Sequence, residues 1–174
     1  MISIRVQGID AVIRKFDELE ANSKGIVQTA LNDWADRTAT DAKQLVASNS
    51  SDEGNLLRSI FPVYGQGGAS VVASTRYAAY IEFGTRKFAA SYVGSLPEDW
   101  QKLAESAKGP GIGSFKDMIA SLTAWCKRKG IDEKLAYPIA KKILINGIKP
   151  RPFLYPAATK NYSLLVKDIK ALLR

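Results

Sequence analysis

At 174 residues, 46% of them hydrophobic, the chain is long enough to bury a core without disulfide or metal staples and predicts a single domain over 1–174. One cysteine, Cys126, excludes an internal disulfide framework and argues for a reducing compartment, while the absence of histidine removes the commonest general base and metal ligand. The net charge of +8 is lopsided: residues 1–85 hold 8 basic and 10 acidic groups (net −2), residues 86–174 hold 17 and 7 (net +10), so a positive C-terminal face toward water, nucleic acid or an acidic protein is expected.

The chain opens on "ISIRVQ", in which Ile2, Ile4 and Val6 alternate with Ser3, Arg5 and Gln7, the period of a half-buried strand. Gly8 ends it. Asp10 is the predicted cap of a first helix carrying Val12, Ile13, Phe16 and Leu19, and a break near Asn22–Gly25 leads into a longer helix to about Ala47. Val27, Leu31, Trp34, Thr38, Ala42 and Leu45 fall on one face of it and call for a sheet to pack on. After the polar loop "SNSSDEGN", the run "LLRSIFPVYGQGGASVVAST" reads as a hairpin turning at Gly65, Gly67 and Gly68. Pro62 lacks a donor, which places the first run at a sheet edge or at a bulge, and an edge is a template for strand addition by a neighbour.

In "YAAYIEFGT", Tyr77, Ala78, Ile81 and Gly84 favour a short helix stopped by Gly84, while Tyr80, Ile81 and Phe83 also tolerate an extended reading. Residues 86–136 form a predicted helical insertion. Within it Ser95 with Glu98, and Ser114 with Asp117, are expected capping boxes around the flexible link "KGPGIG". Phe115, Met118, Ile119, Leu122, Trp125 and Cys126 make a stripe expected to be buried. Pro138 suits the start of a helix that Gly147 stops. "IKPRPFLYP" is expected to be extended because Pro150, Pro152 and Pro156 each lack a donor, and a closing helix carries Leu165, Val166, Ile169, Leu172 and Leu173. The predicted fold class is α+β: a small antiparallel or mixed sheet on a long N-terminal helix and a C-terminal helix. No apolar run reaches the roughly 18 residues of a membrane span or the pattern of a signal peptide, so the sequence reads as soluble, cytosolic at synthesis and without membrane contact.

The chemistry these residues allow is limited. Without histidine, the usual Ser/His and Cys/His nucleophile pairs cannot form, no Cys/His zinc set exists, and "GPGIG" does not end in the Lys-Ser or Lys-Thr of a phosphate loop. Neither a cofactor nor a metal is expected. Glu82 is the one acid in an apolar context, and a carboxylate beside aromatics needs a partner: Arg86, Arg151 or a neighbouring subunit.

Two punctuated patches carry a family resemblance. Tyr77, Ala78, Glu82, Phe83, Gly84 and Thr85, followed downstream by Pro152, Phe153, Leu154, Pro156 and Ala157 with Gly147 between, resemble the tail-component family of long-tailed bacteriophages, the head-to-tail joining or tail completion proteins. The similarity spans residues 1–85 and 137–174, and the stretch 86–136 is longer than the family's usual connection. The resemblance implies a non-enzymatic α+β virion subunit at the head–tail junction, assembled in the host bacterial cytoplasm and working in a ring, commonly six-fold. Its implied neighbours are the connector or head-completion protein on one side and the tail tube or terminator on the other. A head-to-tail ring contact suits a chain with an acidic half and a basic half. Phe153 and Tyr155 are the expected interface anchors, Glu82 to Arg86 the expected interface loop, and Arg151 the expected answer to a carboxylate.

Two other readings stay open on the residues alone. Basic groups with Tyr155 and Tyr162 fit a phosphate backbone, which would make the chain a nucleic-acid-binding protein or give it non-specific contact with DNA in transit. A carboxylate-only enzyme would need two acids at fixed separation.

Overall fold

The computed structural model describes residues 1–5, 21–49, 53–107 and 114–172. The helix expected from Asp10 to Leu19, the link at 108–113 and Leu173 lie outside them, as does the side chain of Leu172. The fold is α+β, and the chain divides into two compact units, 1–78 with 151–174, and 79–150; the insertion expected at 86–136 falls in the second.

In the first unit, β1 (Ile2–Arg5), β2 (Ile60–Gly65) and β3 (Gly68–Ala73) form an antiparallel sheet in the order β1-β3-β2. Ile2 faces Ala73 and Ile4 faces Val71, while on the other side Ile60 faces Ala73 and Pro62 faces Val71. The alternation read from the sequence sets the layers: Ile2, Ile4, Ile60, Ala69, Val71 and Ala73 are buried, and Ser3, Phe61 and Val63 on the opposite face are exposed. Pro62 sits at an edge, where the missing donor costs no ladder bond, and the register runs through it without a bulge.

Helix α1 (Ala21–Asn49) covers the sheet and also packs along α8 (Leu154–Leu172). The break expected at Asn22–Gly25 is absent. Gly25 lies inside the helix, exposed, and its carbonyl accepts from the Thr29 hydroxyl at 3.0 Å. Val27, Leu31, Trp34, Thr38 and Ala42 are buried as their spacing required, but Val46 rather than Leu45 completes the stripe, the 3.6-residue period having drifted by one position. Leu56 and Leu57, read as the start of a strand, belong to α2 (Asn55–Arg58), a single turn whose Leu56 plugs the core before β2 begins.

The seam of α1 and α8 is antiparallel and polar at its edge. Arg37 pairs with Asp168 at 2.9 Å; one turn along, Asp41 takes Lys160 Nζ at 2.9 Å and Asn161 Nδ2 at 2.8 Å. Asn161 is buried, and its amide also donates to the Ala157 carbonyl at 3.0 Å, so the group is satisfied where it lies. Leu154, Tyr155 and Pro156, expected to be extended, form the first turn of α8 instead. A proline in a first turn forfeits only a donor that has no intrahelical acceptor.

The second unit is helical. Helix α3 (Ala78–Phe83) leads into it, followed by α4 (Arg86–Val93), α5 (Glu98–Ser106), α6 (Phe115–Arg128) and, after a 3-10 turn at Glu133–Leu135, α7 (Ala136–Asn146). Helix α4 has no counterpart in the sequence reading. Its presence explains why the Ser95–Glu98 box does not form: the Ser95 hydroxyl donates back to the Tyr92 carbonyl at 2.6 Å, and Pro97 takes the cap position of α5. The second box forms as expected, Ser114 Oγ accepting from Asp117 N at 3.2 Å while the Asp117 carboxylate takes Ser114 N at 2.8 Å. The stripe on α6 is less covered than expected: Cys126 is buried, but Phe115, Met118, Ile119, Leu122 and Trp125 are half-buried, because α6 packs chiefly on α7 and the turn before it. Pro138 lies in the first turn of α7, two residues later than expected, and Gly147 stops that helix as its position predicted.

Candidate functional site

The two motif glycines belong to one structure. Helix α3 ends when Gly84 turns into the left-handed region at φ +73, its N–H closing on the Tyr80 carbonyl at 3.1 Å. Helix α7 ends when Gly147 adopts φ +89, ψ −175, a conformation essentially reserved for glycine. The two chain segments that emerge lie side by side. Thr85 N donates to the Ile148 carbonyl at 3.0 Å, and Ile148 N donates to Thr85 Oγ1 at 2.8 Å.

Each glycine makes room for the other segment. A Cβ on Gly147 would land on the Thr85 carbonyl oxygen and within 2.9 Å of Thr85 Oγ1; one on Gly84 would come within 2.8 Å of the Ile148 oxygen and 2.9 Å of Pro150 Cδ. The result is a clasp: two backbones closer than side chains permit, locked by a reciprocal pair of hydrogen bonds. Thr85 Oγ1 serves Ile148 and makes no cap hydrogen bond to α4. Arg86, the next residue, is held at φ +54, the one non-glycine among the described residues with positive φ.

Beside the clasp lies an apolar cleft of about 260 Å³ lined by Ala79, Tyr80, Phe83, Arg86, Ala89 and Ala104, among others. Its wall is firm, since Phe83 is buried edge-on against Trp100 with ring centroids 6.4 Å apart. The charge in its lining is Arg86; Lys87 Nζ and Lys149 Nζ stand instead over the ring of Phe88, which does not line the cleft, at 5.5 and 5.8 Å from its centroid. Among the described residues, no carboxylate pairs with Arg86, Lys87 or Lys149. Such an arrangement holds an apolar side chain and an anion; it offers no nucleophile with a base, and no group of His, Cys, Asp or Glu able to hold a metal occurs among the described residues.

The other residues singled out from the sequence lie as follows. Glu82 is completely buried in α3, and Tyr77, just ahead of that helix, is exposed. Phe153 and Leu154 are buried, so Phe153 is core and not a presented anchor; Tyr155, Pro152 and Pro156 are half-buried. Among the described residues Arg151 answers a carbonyl: its Nη1 donates to Asn49 O at 2.8 Å, satisfying an orphan acceptor at the end of α1. Phe88, Lys149 and the alanines of the cleft went unread. The signal available was a pair of helix-stopping glycines, each followed by a residue that could bond across.

A protein-family model described as "Bacteriophage HK97-gp10, putative tail-component" matches residues 10–84. Over that segment the resemblance to phage tail components holds, and it takes in Tyr77, Glu82, Phe83 and Gly84. The matched range stops where the clasp begins, leaving Thr85 and the downstream element at Pro152–Ala157 outside it. No curated protein and no solved structure matches the chain.

Proposed function

We propose that this chain, a bacteriophage tail component by its family match over residues 10–84, is a structural subunit of the head–tail junction that completes the tail or joins it to the head. It works as a ring, six copies being the number the resemblance implies, between the connector or head-completion protein and the tail tube or terminator. It carries out no catalysis. Tail components are structural proteins of the virion, and this chain works against other virion proteins.

The observation that carries the reading is the family match ending at Gly84, the first residue of a clasp whose other half is the segment leading into the second motif. Support also comes from β2, an edge strand with Phe61, Val63 and Tyr64 exposed, which is surface of the kind that subunits cover on one another.

The test is electron microscopy of lysates from a phage lacking this gene, with and without the protein supplied in trans. The expected result is DNA-filled heads separate from tails, and joined particles on complementation. Normally joined particles from the deletion would refute the assignment.

A further inference from the structure

The cleft beside the clasp has a size and a charge that select its occupant. At about 260 Å³ it falls below the roughly 300–1,000 Å³ of small-molecule pockets and suits one aromatic side chain. Its lining is chiefly alanine with Tyr80, Phe83 and Val93, which an apolar ring would desolvate, and among the described residues no carboxylate pairs with Arg86 at its wall. Arg86 also opens α4, where the helix dipole disfavours a cation. The matching piece is therefore an exposed aromatic residue with a carboxylate beside it.

The chain carries such a piece in its other unit. Tyr64, on edge strand β2, is 52% exposed, and its hydroxyl donates to Asp36 Oδ1 at 2.7 Å. Among the exposed large side chains described, it is the one a hydrogen bond ties to a carboxylate. Asp36, itself exposed on α1, also accounts for the Tyr64 hydroxyl being pushed above its usual range: the hydrogen bond comes first, then burial, then the carboxylate's charge.

We propose that the cleft receives Tyr64 of a second copy, with that copy's Asp36 facing Arg86. This rests on the ring reading and names the contact that builds it. The contact is heterologous, one patch meeting a different patch, so it passes from copy to copy as a ring requires. A tyrosine in an apolar socket beside an arginine–carboxylate pair is also the composition of an interface hot spot.

The test uses particles from the deleted phage complemented with a chain carrying Tyr64→Cys and Ala89→Cys, Ala89 being a cleft residue and the native Cys126 being buried. Mild oxidation should give a ladder of disulfide-linked multimers on a non-reducing gel, absent when either cysteine is omitted. Monomer alone from particles that contain the protein, or links only to other proteins, would overturn the contact.

Exchange of charge decides the matter where the cysteine pair does not enter particles. Asp36→Arg and Arg86→Asp should each lower the yield of infectious particles roughly tenfold or more, and the two together should restore most of it. Aspartate tolerates the left-handed backbone at position 86, so the single change does not fail for conformational reasons. No restoration would overturn the proposal. Absence of the wild-type chain from particles would instead remove the tail-component reading, and the contact with it.

Discussion

Replacing Gly147 with alanine should be the most damaging single-methyl change near the clasp. At φ +89, ψ −175 a non-glycine residue costs about 1–3 kcal/mol in backbone strain alone. The new Cβ also falls on the Thr85 carbonyl, which is backbone and cannot swing aside, so the segments must part. Parting sacrifices the Thr85–Ile148 bonds of 3.0 and 2.8 Å, at a net ~0.5–1.5 kcal/mol each. The total comes to about 2–6 kcal/mol, a large share of the ~5–15 kcal/mol that holds a domain folded. The assay is urea unfolding followed by tryptophan fluorescence in a Trp34→Phe background, which leaves Trp100 and Trp125 to report on the second unit alone. Among the described residues Trp34 Nε1 has no hydrogen-bond partner, so its loss strands nothing there. With a slope near ~1.5 kcal/mol per molar urea, the midpoint should fall by about 1–4 M. A shift worth less than ~1 kcal/mol would mean that the two segments do not touch as described.

Three further outcomes follow from single sites. Gly25→Ala should stabilise the first unit by about 0.5–1 kcal/mol in urea unfolding followed by far-UV circular dichroism with Trp34 retained, since the residue is helical, exposed and, among the described residues, has nothing within 4 Å of the new methyl; destabilisation would restore the break that the sequence had suggested. Thr38→Val should be neutral or raise the melting temperature, because Thr38 Oγ1 is buried without a partner among the described residues; a loss of more than ~1 kcal/mol would reveal a bond to that hydroxyl. Asp41 lies below its ordinary pKa: burial works against its ionised form, but the Lys160 and Asn161 hydrogen bonds and the Lys160 charge outweigh it. Its contribution is therefore present above the unfolded carboxylate value near ~3.9 and is lost as pH falls through the lower folded value. Stability measured from pH 6 to 2 should fall less steeply in Asp41→Asn than in the wild type, and parallel profiles would contradict the α1–α8 seam as drawn.

The features legible in the sequence were those set by neighbours along the chain. Alternation in "ISIR" gave β1 and its buried face, Pro62 marked the edge strand, and Gly84 and Gly147 stopped helices because each must leave the right-handed region. Ser114 and Asp117 capped α6 through a bond spanning three residues. Misread features were decided by tertiary context. Gly25 stays helical because the apolar face of α1 outweighs the weak propensity of one residue, and Pro156 starts a helix where an isolated X-Pro segment would extend. The clasp was half legible: both glycines stood out, but no local signal says that Thr85 bonds Ile148, 63 residues away. The cleft was not legible at all, being a gap among alanines whose separate positions carry no pattern.

Position in the particle is the central claim, and gold labelling of a short tag on this chain in purified particles, viewed by electron microscopy, tests it most directly. The account predicts label confined to the junction of head and tail. Label distributed along the tail shaft, or at the tip distal to the head, would contradict it.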